Sequence, residues 1–172
     1  MNKFALLSFA LFYLSAGKNS SAQVSTSIDD FIILTGSWSG SLTYLDYSSD
    51  NLITLPADLE VVNDEKLNQL IFYISFPEEP EASNIDTLSI SSDGTLLEKA
   101  PVVSKQSFED GSLEIITEIT GTDGNEDKPA VIRHTYVIGQ NNFVLRKNVR
   151  FVDGKEWILR NEFSLIKNTE SN

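Results

Sequence analysis

The sequence predicts an all-β fold, an antiparallel up-and-down meander of about nine strands that closes into a barrel. Two observations support this prediction. Asp-Gly pairs recur at intervals that suit short strands, and the segments between them are rich in Ile, Val, Thr, Phe and Tyr. A two-sheet β-sandwich is the alternative, because it uses the same strands and turns. The Asp-Gly pairs begin at Asp93, Asp110, Asp123 and Asp153.

The first 22 residues have the features of a secretory signal peptide. Lys3 precedes an apolar run over residues 5–16, and small residues lead to a cleavage site after Ala22. The run is too short to span a bilayer, which takes about 20 residues. We therefore expect a secreted or periplasmic protein that does not insert into a membrane once the leader is removed. The chain contains no cysteine, so it has no disulfide and no lipidation cysteine.

The rest of the chain is expected to form one domain. Residues 23–33 are a lead-in to the first strand, with a short helical turn over 27–34, and residues 34–168 form the barrel. Residues 169–172 are a C-terminal tail. Consecutive hairpins along the chain predict a meander, and a meander of about nine strands tends to close because closure removes exposed sheet edges. The strands are predicted at 36–47, 53–62, 68–76, 85–90, 95–104, 112–121, 130–138, 142–152 and 156–166.

The charge of the chain excludes two classes of partner. There are 13 basic and 25 acidic residues. Removal of the leader takes away Lys3 and Lys18, which leaves 11 basic residues and a net charge of −14. A surface this acidic repels nucleic acid and anionic lipid headgroups, so neither is an expected partner.

The first predicted strand opens with Gly36-Ser37-Trp38. Alternation places Trp38, Gly40 and Tyr44 on one face, where the indole can plug one end of a barrel and Gly40 lets another segment approach. This opening resembles the G-x-W signature of the lipocalins and their calycin relatives. The longer string WSGSLTYLDYSSD is similar to secreted lipocalin-like barrels of bacteria, and no activity follows from that similarity.

The resemblance implies an up-and-down barrel with a basic residue near the last strand, packed against the tryptophan. Arg160 lies at a suitable place in the chain for this role, and its guanidinium can stack on an indole. Related haem-binding barrels use a histidine near the C-terminal strand. The last strand here has none, so no cofactor is expected.

His134 is the only histidine and is the natural candidate for acid–base chemistry, with Tyr136 beside it on the same strand face. A single histidine without cysteines makes a poor metal site. Asp123, Asn125 and Asp127 resemble the start of a calcium loop, but Lys128 and His134 occupy positions that need Gly and Glu. We therefore interpret this segment as an acidic hairpin turn and expect no metal.

The remaining candidates are aromatic side chains on different strands, which suit the lining of a small-molecule cavity. We expect a non-enzymatic barrel that binds a small apolar or amphipathic ligand in its interior. A filled-core barrel that acts through its surface, as a homodimer for example, is the second hypothesis. An isomerase or hydrolase that uses His134 is the third. The predicted ligand-binding residues are Trp38, Tyr44, Phe72, His134, Tyr136 and Arg160.

Overall fold

The computed structural model describes residues 23–169. The predicted leader (1–22) and the last residues of the predicted tail (170–172) lie outside the described residues, so the structure does not bear on them. No helix in the described part of the chain is long and apolar enough to cross a membrane.

The all-β prediction is confirmed, because the chain forms one antiparallel sheet of ten strands that is nearly closed into a barrel. Neighbours in sequence are neighbours in the sheet, as in a meander. The strands are β1 (Gly36–Asp46), β2 (Asn51–Asp64), β3 (Gln69–Ser75), β4 (Asn84–Leu88), β5 (Leu96–Leu97), β6 (Ala100–Ser107), β7 (Leu113–Asp123), β8 (Lys128–Ile138), β9 (Asn142–Phe151) and β10 (Ile158–Lys167).

The first and last strands pair with each other, which excludes the two-sheet sandwich. β1 and β10 are antiparallel, with Trp38 opposite Lys167 and Tyr44 opposite Asn161. The remaining gap lies between β4 and β5, the two edge strands of the sheet. It is spanned by backbone hydrogen bonds, of which one runs from Ser91 to Leu96 at 2.9 Å and another from Glu98 to Ser89 at 2.9 Å.

The strand count is ten rather than about nine, because the predicted strand at 95–104 is two strands. Glu98 and Lys99 adopt positive φ angles of 52° and 66°. They form a two-residue hairpin turn that joins β5 to β6, with Leu97 opposite Ala100. Turns of this kind usually contain Asn or Gly. The sequence analysis missed this one because Glu-Lys carries no such signal.

The predicted helical turn over 27–34 is present as two 3-10 helices, Ile28–Asp30 and Ile32–Leu34. This lead-in covers one end of the barrel, which we call the closed end, and buries Phe31 and Leu34 there. Asp30 fixes it by accepting hydrogen bonds from the Ser27 backbone at 2.8 Å and from Lys105 at 2.7 Å.

Gly40 allows β1 and β10 to come unusually close at the closed end, as its place beside Trp38 predicts. A Cβ atom at Gly40 would lie 2.1 Å from the carbonyl oxygen of Ser164 and 3.0 Å from Cα of Leu165. Any other residue here would therefore have to push the two strands apart.

Candidate binding site at the open end of the barrel

The predicted site residues fall into two groups that the structure does not bring together. Trp38, Phe72 and Tyr136 belong to the core of the closed half and expose 0%, 6% and 4% of their surface. Phe31 meets Tyr136 edge to face, with 5.7 Å between ring centroids. A cavity of only about 50 Å³ remains beside Phe72 and Tyr136. These aromatic rings therefore fill the closed half instead of lining an open cavity.

Tyr44, His134 and Arg160 lie in the other half, toward the end that we call the open end. Here the turns after β1, β7 and β9 approach one another, and the hydroxyl of Tyr47 donates to Asp123 across two of them at 3.2 Å. The inward face changes character between the two halves. Five residues that lie opposite one another on adjacent strands form one level of the inner wall, and they belong to the apolar core or pack on it. They are Leu42, Ile115, Tyr136, Leu145 and Phe163, and the phenol of Tyr136 is the one polar group among them.

The next level toward the open end is polar on five adjacent strands. Thr117 lies opposite His134, which lies opposite Lys147. Lys147 lies opposite Asn161, which lies opposite Tyr44. Each of these five residues lies two positions along its strand from a residue of the apolar level. Because residues i and i+2 of a strand point to the same face, all five side chains point into the barrel. We call this set the polar row: Tyr44, Thr117, His134, Lys147 and Asn161.

Two members of the polar row stand out, one by its missing hydrogen-bond partner and the other by its lowered pKa. The Oγ1 atom of Thr117 is fully buried and has no hydrogen-bond partner among the described residues. His134 lies opposite Thr117 on the neighbouring strand β8. Burial, together with the neighbouring positive charge of Lys147, lowers the pKa of the imidazole. His134 is therefore neutral at pH 7, with one N–H to donate.

An ion cluster lies just above the polar row, and we call Tyr47, Asp123, Lys147 and Arg160 the mouth cluster. Asp123 Oδ2 accepts from Arg160 Nε at 2.6 Å, and Oδ1 lies 3.2 Å from Lys147 Nζ. The side chains of Asp123 and Arg160 are only 5% and 8% exposed. Burial raises the pKa of the Asp123 carboxyl, but hydrogen bonds from Lys147 and Arg160 outweigh it, so the net pKa is lowered. The cluster contains two cations and one anion.

A β-bulge turns Arg160 into this cluster. The register of β10 against β9 shifts between Leu159 and Asn161, which leaves Arg160 as an extra residue. Without the bulge, the alternation of a strand would place Arg160 on the same face as Glu162. Its guanidinium lies 4.8 Å from the ring centroid of Tyr47 instead of over Trp38.

The basic side chain that covers Trp38 is Lys167. Its Nζ atom lies 5.2 Å from the centroid of the indole and donates to the carbonyl oxygen of Ile33 at 2.8 Å. The arrangement implied by the family resemblance is thus present, but the last residue of β10 supplies it. Arg160 serves the opposite end of the barrel.

Two pockets open beside the mouth cluster. One of about 520 Å³ is lined by Tyr44, Lys147, Asn161 and Arg160, among others. The other, of about 630 Å³, lies toward the β7–β8 turn and Phe151. Tyr47 and Arg160 are among the residues that border both pockets. The first pocket also borders Asp46, whose carboxylate is engaged by the hydroxyls of Ser48 and Ser49.

The sequence analysis missed three residues of the site, which are Lys147, Asp123 and Thr117. Lys147 alternates along β9 with the apolar residues Phe143, Leu145, Val149 and Phe151. A lysine at an inward position of an otherwise apolar strand face indicates a polar site inside the barrel. Asp123 was correctly assigned to an acidic hairpin, but its pairing with Arg160 depends on the bulge. Within residues 23–169, no three His, Asp or Glu side chains gather as ligands for a metal ion.

Comparison of the chain with protein-family models finds no family that matches, and comparison with curated proteins finds no relative. The case for a function therefore depends on the geometry of the barrel.

Proposed function

We propose that the chain is a secreted or periplasmic, lipocalin-like barrel without enzymatic activity, which binds a small amphipathic molecule in the open half of its interior. The observation that carries this proposal is the change from an apolar level to the polar row within one step of the wall. A ligand with an apolar part and a polar end matches such a lining, because each part meets side chains of its own kind.

Position and size of the open pocket support the same proposal. The pocket of about 520 Å³ reaches Tyr44, Lys147 and Asn161, which belong to the polar row. Pockets for small molecules typically have volumes of about 300–1,000 Å³. Phe163 and Leu42 lie directly below this level and pack on a buried apolar cluster that consists of Leu55, Ala57 and Phe76. Burial of apolar ligand surface is worth about 25 cal/mol per Å², so binding needs no sequence motif.

The test is direct binding by the mature chain. Mass spectrometry under native conditions should reveal a co-purified small molecule or, after its removal, saturable one-to-one binding of N-phenyl-1-naphthylamine or decanoate. Asn161→Phe, which fills the pocket, should weaken binding at least tenfold. Ser164→Phe on the exposed face of the same strand is the matched control and should bind normally. Absence of any co-purified molecule, together with no binding of either probe, would contradict the proposal.

A filled-core barrel that acts through its surface is the second candidate. It is favoured by the closed half, where Phe31, Trp38 and Phe143 leave no room for a ligand. This alternative gains if the binding test fails and the chain sediments as a stable dimer. The third hypothesis, catalysis by His134, has no comparable support, because no hydrogen bond joins the imidazole to an acid–base partner within the described residues.

A further inference from the structure

The polar row differs from an ordinary polar lining in the kind of hydrogen bond that it offers. Lys147 can only donate, and a neutral His134 has one N–H. Thr117, Tyr44 and Asn161 each carry a hydrogen that can be donated as well. No carboxylate belongs to the row. Lys147 offers no acceptor, so a ligand atom that bridges Lys147 to its neighbours in the row must itself be an acceptor.

The charge near the row points in the same direction. Lys147 has three N–H bonds, and the contact with Asp123 at 3.2 Å uses one of them. Arg160 adds a second positive charge against the single carboxylate of Asp123. The mouth cluster therefore has an excess of positive charge inside a chain whose net charge is −12. The Asp46 carboxylate, which also borders the pocket, accepts hydrogen bonds from Ser48 and Ser49. Asp123 itself shows that a carboxylate fits between these two cations.

Thr117 supplies an independent observation. A buried hydroxyl without a partner costs free energy, and native proteins rarely leave one unless a water or a ligand completes it. Thr117 exposes 1% of its surface and lies directly across the strand pair from His134. His134 lies across the next pair from Lys147. An oxygen atom over this part of the row would therefore meet a hydroxyl, an imidazole N–H and an ammonium group.

We infer that Thr117, His134 and Lys147 form a subsite for the oxyanion of an amphipathic ligand, such as a carboxylate, with the apolar part of the ligand on the level of Leu145 and Phe163. This inference rests on the proposed function, since it specifies the polar end of the ligand. Lys147 lines the pocket of about 520 Å³ together with Tyr44 and Asn161, and His134 and Thr117 continue the row from Lys147 along the next two strands.

The experiment compares ligands that share one chain and differ in the head group. Decanoate, decanol, methyl decanoate and decyltrimethylammonium are titrated into the mature protein by calorimetry. Decanoate should bind at least tenfold more tightly than the two neutral compounds, because hydrogen bonds to charged groups are the stronger ones. The cationic compound should bind most weakly.

Variants then assign the effect to the subsite. Lys147→Met should weaken decanoate binding about tenfold and leave decanol binding within twofold. Lys155→Met, an exposed loop lysine, is the matched control and should change neither. Lys147→Arg keeps the positive charge and should retain most of the affinity, which guards against a Lys147→Met protein that folds poorly.

Thr117→Val separates binding from structure, because the two effects have opposite signs. Removal of an unpartnered hydroxyl should raise the urea midpoint of the free protein, whereas decanoate affinity should fall about fivefold. Equal binding of decanoate and decanol, or a Lys147→Met protein that retains full affinity for decanoate, would overturn the oxyanion subsite and leave the binding function intact. Failure of all four compounds to bind, together with the absence of any co-purified molecule, would overturn both.

Discussion

The indole Nε1 of Trp38 donates a hydrogen bond to the carbonyl oxygen of Leu34 at 2.6 Å, inside the closed end of the barrel. Both residues expose 0% of their surface. The contact joins the lead-in to the first strand, and Trp38 also packs on Phe143, with 6.3 Å between ring centroids. One side chain thus connects the cover of the barrel to its core.

Trp38→Phe should therefore destabilise the protein by about 3 kcal/mol, because it removes buried volume and leaves the Leu34 carbonyl without its partner. Urea denaturation followed by circular dichroism measures the change. Trp157→Phe is the control. That indole is partly exposed, with the guanidinium of Arg133 4.0 Å and that of Arg150 4.8 Å from its ring centroid. If Trp38→Phe lowered the free energy of unfolding by no more than Trp157→Phe does, the role assigned to Trp38 would be contradicted.

Gly40→Ala should destabilise the barrel by at least about 2 kcal/mol, because the new methyl group would collide with the backbone of β10. Backbone atoms cannot move aside as a flexible side chain does, so the β1–β10 pairing must open locally. Amide hydrogen exchange should show faster exchange in both strands. Gly154→Ala meets only ordinary contacts at 3.5 Å or more and should have little effect. Unchanged protection of β1 in Gly40→Ala would show that the close approach is not needed.

Most of the fold could be predicted from the sequence, because strand, turn and burial signals are local. The predicted strands at 112–121 and 130–138 correspond to β7 and β8, which extend two residues beyond them at the hairpin that joins them. Closure through β1 and β10 followed from the meander order, since a meander that curls brings its first and last strands together. The turn at Glu98-Lys99 was not predicted, because neither residue is typical of a two-residue hairpin turn.

The candidate site was less predictable, because it depends on register between strands that are distant in sequence. Asp123 and Arg160 are 37 positions apart, and a single-residue bulge decides that they meet. Trp38 and Tyr136 were selected as aromatic candidates, but sequence cannot tell a ring that lines a cavity from a ring that fills a core. Lys147 was visible in the alternation of β9 and was overlooked in favour of the aromatic residues.

Asp123→Asn should have two opposite effects. The free energy of unfolding should fall by about 2 kcal/mol, since two partly or fully buried cations lose their counter-charge. Decanoate should bind more tightly, because Lys147 and Arg160 become available to the ligand. Glu126→Gln in the same hairpin removes a solvent-exposed ion pair with Lys128 and should change neither quantity. Weaker decanoate binding by Asp123→Asn would argue that Asp123 orders the site instead of competing for it.

The stability of the protein should fall between pH 7.5 and pH 5.5 in a way that depends on His134. Burial and the charge of Lys147 lower the pKa of this imidazole in the folded state. As the pH falls through the ordinary value of about 6.5, the unfolded chain takes up the proton first, so the unfolded state is favoured. Above that range both states are neutral and the effect vanishes.

His134→Gln should remove this pH-dependent part of the stability. The difference in urea midpoint between wild type and variant is measured at pH 7.5, 6.5 and 5.5, above the range where most carboxylates titrate. The wild-type midpoint should decline relative to that of the variant as the pH falls. A constant difference across the three pH values would mean that the pKa of His134 is the same in the folded barrel as in the unfolded chain. In that case the imidazole is not held neutral beside Lys147.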